Sequence, residues 1–274
     1  MDSIAITDHG VMYGAVDFTS RRRNEYQAII GCEVYVTQSR FDRSQRGGIY
    51  HLILLAENNT GYHNLMKLVS LSHLEGFYYK PRIDKDILRK YSEGLICLSA
   101  CIAGEVPVKI LQRDIDGAER AAQEYIEIFG KENYFFEIQD HGLDEERVVN
   151  RELKRMAAKF GVGLVATNDL HYVEKLTPKR RTFLLCIQTA STVDDPKRMK
   201  FANDEYYLKS YEEMAERFAD CRKHWKIRLK LLSAACGAGV WASFAAGISD
   251  TGKICQCHGI LARFVPARAA AAVC

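Results

Sequence analysis

Three short stretches of this 274-residue chain place acid–base or metal-ligating side chains directly after apolar runs. Asp8 and His9 follow Ile4-Ala5-Ile6 and precede Gly10. Glu33 closes the run Ile29-Ile30-Gly31-Cys32, and Asp169 and His171 follow Leu164-Val165-Ala166-Thr167-Asn168. Imidazoles and carboxylates converging from several strand ends suit zinc, manganese or iron, with a bridging water as hydrolytic nucleophile. In Asp169-x-His171 the intervening residue puts both side chains on one face of an extended segment. Each stretch alone has an ordinary alternative: a capped turn at Asp8–His9, a lysine partner for Glu33, a plain loop at 169–171. Their joint occurrence favours the metal reading. From the residues alone, His51 is a hydrogen-bonded or solvated histidine opening a strand, and Cys101 is a small buried hydrophobe. His73 and His141 read as helix-end and loop histidines without chemistry.

The elements that must position these groups alternate. Strand-like runs cover Ser3–Thr7, Ala28–Tyr35, Leu52–Ala56, Gly94–Leu98, Tyr134–Ile138 and Gly163–Thr167. Helical spacing of apolar residues marks Asn64–Leu74, Ile115–Phe129 and Glu145–Phe160, the last stopped by Gly161. Strands separated by helices predict an α/β domain with a parallel sheet or barrel, and barrels of that kind gather functional side chains at strand C-termini. Gly47–Gly48, after a polar run, marks a loop between two strands.

Composition bounds the function. With 47% hydrophobic and 27% charged residues the chain is globular, and no apolar run reaches the length of a membrane span. No signal peptide is visible at the N-terminus, so the nine cysteines are expected as reduced thiols, metal ligands or core residues, in the cytoplasm. Charge divides unevenly. Residues 222–274 hold 8 of the 38 Lys+Arg and one acid, Asp250, so the preceding 221 residues carry a net −4. The overall +3 therefore gives no licence for a nucleic-acid claim.

The stretches 5–10, 30–35, His51-Leu52-Ile53-Leu54-Leu55-Ala56 and 166–172 resemble the PHP (polymerase and histidinol phosphatase) domain, more closely the branch found in bacterial DNA polymerase III alpha subunits. The segments 75–82, 93–96, 138–143 and 192–196 agree, so the resemblance covers nearly all of residues 1–221. It implies a distorted (β/α)7 TIM-like barrel, a partial PHP domain over 1–221 whose first strand is expected upstream of Met1. It also implies a trinuclear metal site, of which six ligands carry over: His9, Glu33, His51, Cys101, Asp169 and His171. The family's other three ligands belong to that upstream segment. The implied activity is metal-dependent hydrolysis, of 3′–5′ exonuclease or pyrophosphatase type, expected to be impaired here. The parent activity implied is DNA-directed DNA polymerase, a nucleotidyltransferase whose magnesium-binding palm carboxylates lie beyond this chain. Implied partners are DNA, the proofreading exonuclease subunit and the sliding clamp, with no membrane. Two alternatives stay open, a non-catalytic docking module for the exonuclease subunit and a free-standing phosphoesterase of histidinol-phosphatase type.

After Cys221 the resemblance stops. One DNA string can encode the family-like PEALENTLKIAER and, read one base later, RKHWKIRLKLLS, which is residues 222–233. The expectation is an out-of-frame tail over 222–274 with no fold of its own. The competing reading is a small basic module in which Cys255, Cys257 and His258 join Cys236 and Cys274 around zinc, against the usual ligand spacing.

Overall fold

The computed structural model describes residues 3–20, 27–44, 48–175 and 178–220; the tail 222–274 lies outside the described residues. Among the described residues seven strands form one mixed sheet: β1 (Ser3–Ile6), β2 (Gln27–Val36), β3 (Tyr50–Ala56), β4 (Arg82–Ile83), β5 (Leu95–Leu98), β6 (Tyr134–Gln139) and β7 (Gly163–Thr167). Their order is β1-β2-β3-β5-β6-β7, with β4 paired to β2. All six strand runs and all three helices read from the sequence are present, the helices as α2 (Asn59–Leu74), α5 (Ile115–Phe129) and α6 (Asp144–Phe160). The remaining helices are α1 (Ala15–Ser20), α3 (Lys85–Lys90), α4 (Glu105–Leu111), α7 (Pro178–Gln188) and α8 (Tyr211–Arg217).

The sheet departs from the parallel expectation at one strand. β3 runs antiparallel to both β2 and β5, while β1–β2, β5–β6 and β6–β7 are parallel. The physical reason is the connection: none of its described residues, 37–44 and 48–49, is helical, and a direct return places the second strand antiparallel.

Strand alternation divides the core into two layers. Ile30, Cys32, Val34 and Val36 of β2, Leu52 and Leu54 of β3, and Phe136 and Ile138 of β6 pack against the helices. Ile29, Ile53, Leu55, Ile96, Leu98, Phe135 and Val165 form a smaller cluster on the opposite face. The helices answer with matched stripes: Ala118, Ala121, Ala122, Tyr125 and Phe129 recur at three- and four-residue spacing along α5. Asp114 caps α5 by accepting from Gly117 N at 2.9 Å, and Gly161 closes α6 in the left-handed region at φ 68°.

The sheet curls. Ser3, Ala5 and Thr7 at one end and Val165 and Thr167 at the other line the same cavity of about 270 Å³. The architecture is a mixed α/β half-barrel, helices outside and a concave inner face.

Candidate metal centre at the mouth of the half-barrel

Backbone pairing sets the first corner. Glu33 N donates to Asp8 O at 3.0 Å and Gly10 N to Glu33 O at 2.8 Å, which fixes His9 beside Glu33. Gly10 is required there: its φ is 68°, and a Cβ would stand 2.7 Å from Pro81 Cγ. Asp8 does what the turn alternative expected, accepting from Gly14 N at 3.3 Å. Because β3 is reversed, its first residues lie level with the last residues of β2, and Tyr35 pairs with His51. His51 at the start of β3 therefore stands at the same mouth as Glu33, which lies inside β2, three residues before its end, and not at the strand end expected from the sequence. Cys101, three residues past β5, brings Sγ to 3.6 Å from His51 Nδ1.

Glu33 is the centre of this corner. Its Oε1 lies 2.6 Å from His51 Nδ1 and 2.9 Å from His9 Nδ1. No hydrogen bond of full geometry reaches this buried oxygen, although both imidazole nitrogens stand within ion-pair distance of it. Burial pushes its carboxyl upward, but the imidazoles of His51 and His9 outweigh burial and hold it at about 2. Glu33 in turn raises His9 above the ordinary imidazole range against the opposing effect of burial. Burial drives the Cys101 thiol well up, and the Asp169 and Glu33 carboxylates push it further.

The second corner is Asp169 and His171, and here the extended-segment expectation fails. β7 ends at Thr167, and Asp169 sits in the left-handed region at φ 40°, so the two side chains do not share a strand face. His171 Nδ1 instead donates to the Asp169 carbonyl at 2.7 Å and stands 3.8 Å from its carboxylate. The loop is held from outside: Asn168 Nδ2 donates to the carbonyls of Glu205 and Tyr207 at 3.0 and 2.7 Å, and His171 N to Tyr206 O at 2.9 Å. Burial, aided by the Glu33 charge, raises Asp169 despite the opposing pull of His171. His9 and His171 face each other with ring centroids 6.0 Å apart, as do His9 and His51.

Sequence reasoning missed Glu137. It shares the inward parity of Phe135 and lines the cavity, accepting from Thr167 Oγ1 at 2.5 Å and from Gln139 Nε2 at 3.1 Å. Its Oε2 is buried without a partner, and burial pushes its carboxyl up to about 7. The signal was a glutamate inside the otherwise aromatic and aliphatic run Tyr134-Phe135-Phe136-Glu137-Ile138. Lys209 was missed as well: buried, it donates to Asn168 Oδ1 at 3.1 Å and to Glu205 O. The histidines given no chemistry are anchors. His141 binds Glu146 Oε1 at 2.5 Å and stacks on Tyr206, and His73 Nε2 donates to Gly10 O at 2.9 Å.

The donor types at this mouth fit a divalent metal, and the orphaned Glu33 oxygen between two imidazoles is the position such an ion would satisfy. As placed, the donors turn to one another: among the described residues no three His, Cys, Asp or Glu side chains share a coordination point.

A mixed half-barrel whose strand ends gather histidines, acids and a cysteine defines a class, and the comparisons agree with it. The PHP domain model matches residues 1–141, and the chain belongs to the PHP-domain family. Beyond that match, the chain is 50% identical over 222 residues to the DNA polymerase III subunit alpha of Treponema pallidum, covering 79% of this chain and 19% of that protein. Against the subunit of the same name from Thermus aquaticus the identity is 49% over 218 residues, 77% of this chain and 18% of the relative. With that of Deinococcus radiodurans it is 46% over 220 residues, 77% and 16%. The chain spans about a fifth of the length of the curated relatives it matches. Among the described residues no helix is long and apolar enough to cross a membrane.

Proposed function

We propose that residues 1–221 are the PHP portion of a bacterial replicative polymerase alpha subunit, acting in DNA replication in the cytoplasm. Its mouth is a divalent-metal site of the phosphoester-hydrolysing kind, impaired in this chain. The parent activity is nucleotidyl transfer with magnesium held elsewhere, and the partners are DNA, the proofreading exonuclease subunit and the sliding clamp. The observation that carries the metal reading is Glu33, a buried carboxylate kept ionised between His9 and His51 with one oxygen unsatisfied.

His9, Glu33, His51, Cys101, Asp169 and His171 would hold zinc, manganese or iron. Such an ion supplies a water whose pKa is lowered toward neutrality. The chain's own part is to keep Glu33 anionic at neutral pH and to fix Asp169 and His171 through Asn168.

Metal analysis of the purified chain after incubation with zinc, manganese or iron and dialysis tests this. Expected is up to about one ion per chain, at least about tenfold weaker binding in Glu33→Ala, and oligonucleotide hydrolysis near background. Equal uptake by wild type and Glu33→Ala would sink it. The docking-module reading is favoured by α7, where Phe183, Leu184 and Ile187 expose an apolar face. Under that reading the exonuclease subunit binds the metal-free chain, and Ile187→Asp abolishes the binding.

A further inference from the structure

Beside the mouth, the segment between α2 and β4 presents aromatic rings on a rigid base. Arg82 is buried and donates to Gly76 O at 2.9 Å and to Arg40 O at 3.1 Å. A Cβ at Gly76 would lie 1.9 Å from Arg82 O, so the two ends of the loop touch backbone to backbone. At the tip, Tyr78 N donates to Lys80 O at 3.1 Å, closing a tight turn with Tyr79 at φ 61°. Bulky side chains rarely adopt that left-handed conformation; glycine or asparagine would adopt it with less strain. The turn leaves Tyr79 61% exposed, edge-on to Tyr78 with ring centroids 4.7 Å apart, and Phe77 50% exposed.

Phe77 and Lys80, on either side of this tip, lead to the metal corner. Phe77 stacks on His73, which binds the carbonyl of Gly10, next to His9. Lys80 Nζ lies 4.5 Å from the centre of the Tyr35 ring and donates to its hydroxyl at 3.1 Å. Tyr35 is stacked with His9 and edge-on to His51. Phe77 and Lys80 thus each stand a short chain of contacts from His9, and the exposed Tyr79 ring lies on the turn between them.

We propose that Phe77, Tyr79 and Lys80 form a platform for unpaired nucleotides at the end of a single-stranded nucleic acid. Bases stack on the two rings, a phosphate meets Lys80, and the strand end points at the His9–Glu33 corner. The proposal rests on the hydrolytic reading only for that direction. A duplex is not the ligand, because paired bases hide their faces and the body's net charge of −4 offers no general attraction for a backbone. Lys80 beside the rings favours a polyanion over an apolar protein surface.

The test is fluorescence anisotropy of a labelled dT15 with the full chain, in EDTA at low salt. Chelation separates the outcome from the metal reading, which stands or falls on metal uptake. Tyr79→Ala and Phe77→Ala are each expected to weaken binding about 5- to 20-fold. Tyr79→Phe stays within about twofold, because the stacking face remains. Lys80→Gln lowers the salt dependence by about one released ion. The basic tail acts on every variant alike and drops out of the comparison. Alanine variants that bind dT15 as tightly as wild type would overturn the platform. So would a folded chain that binds no dT15, which would assign the rings to a protein contact.

Discussion

The two faces of one sheet are built to different rules. On the helix-covered face, alternate residues of β2, β3 and β6 are aliphatic or aromatic and nearly all fully buried. On the concave face, the intervening positions of the same strands carry Glu33, Glu137 and Gln139 among a handful of aliphatic residues. Two buried carboxylate oxygens there, one on Glu33 and one on Glu137, lack hydrogen-bond partners. Leaving such atoms unpaired costs stability, so the inner face spends what the outer face supplies. The comparison teaches that parity along a strand, more than strand identity, separates scaffold from site.

Mutation sharpens this division. Phe136→Ala, on the outer face, is expected to cost about 3–5 kcal/mol in urea unfolding through the cavity it leaves. A loss under 1 kcal/mol would break the comparison. One strand step away, Glu137→Gln should act in the opposite direction. The Glu137 carboxyl is raised from 4.5 to about 7, so the folded state holds a proton that the unfolded state has released. Its contribution is most favourable below about pH 4.5 and is lost as pH rises through about 7. At pH 8 the substitution should stabilise by up to about 3 kcal/mol, and at pH 4 it should be near neutral. Melting temperatures of both proteins across pH 4–8 decide the sign. Smallest is Asn58→Ala at the outer face, which removes the cap accepting from Gly61 N and should cost about 1 kcal/mol at any of these pH values. A pH-dependent loss there would blur the distinction between the faces.

How much of this was legible depends on whether the information is local. The α5 stripe, the Gly161 stop and the six strand runs are set by neighbours in sequence, and they were readable. His51 and Cys101 were not, because their place at the mouth depends on a strand reversal and on a post-strand turn. The reversal had a signal in the Gly47–Gly48 loop, since no helix can be read between β2 and β3. The geometry of Asp169 was misread because its left-handed φ follows from Asn168 being clamped by residues 205–209, a contact some 40 positions away. Glu137 was overlooked because periodicity treats a strand as a run and does not ask which face an exception occupies.

The reversed β3 also orders events in time. Glu33 and His51 lie in adjacent strands of one hairpin, 18 positions apart, and His9 joins them from 24 positions upstream. Closing such short loops is fast and needs no distant partner. Asp169 and His171 lie more than 115 positions further on and are clamped by residues still later in the chain. During synthesis from the N-terminus, the His9–Glu33–His51 corner can therefore assemble while the opposite corner is still inside the ribosome. By sequence separation alone, the first half of the centre is local and the second depends on a late closure.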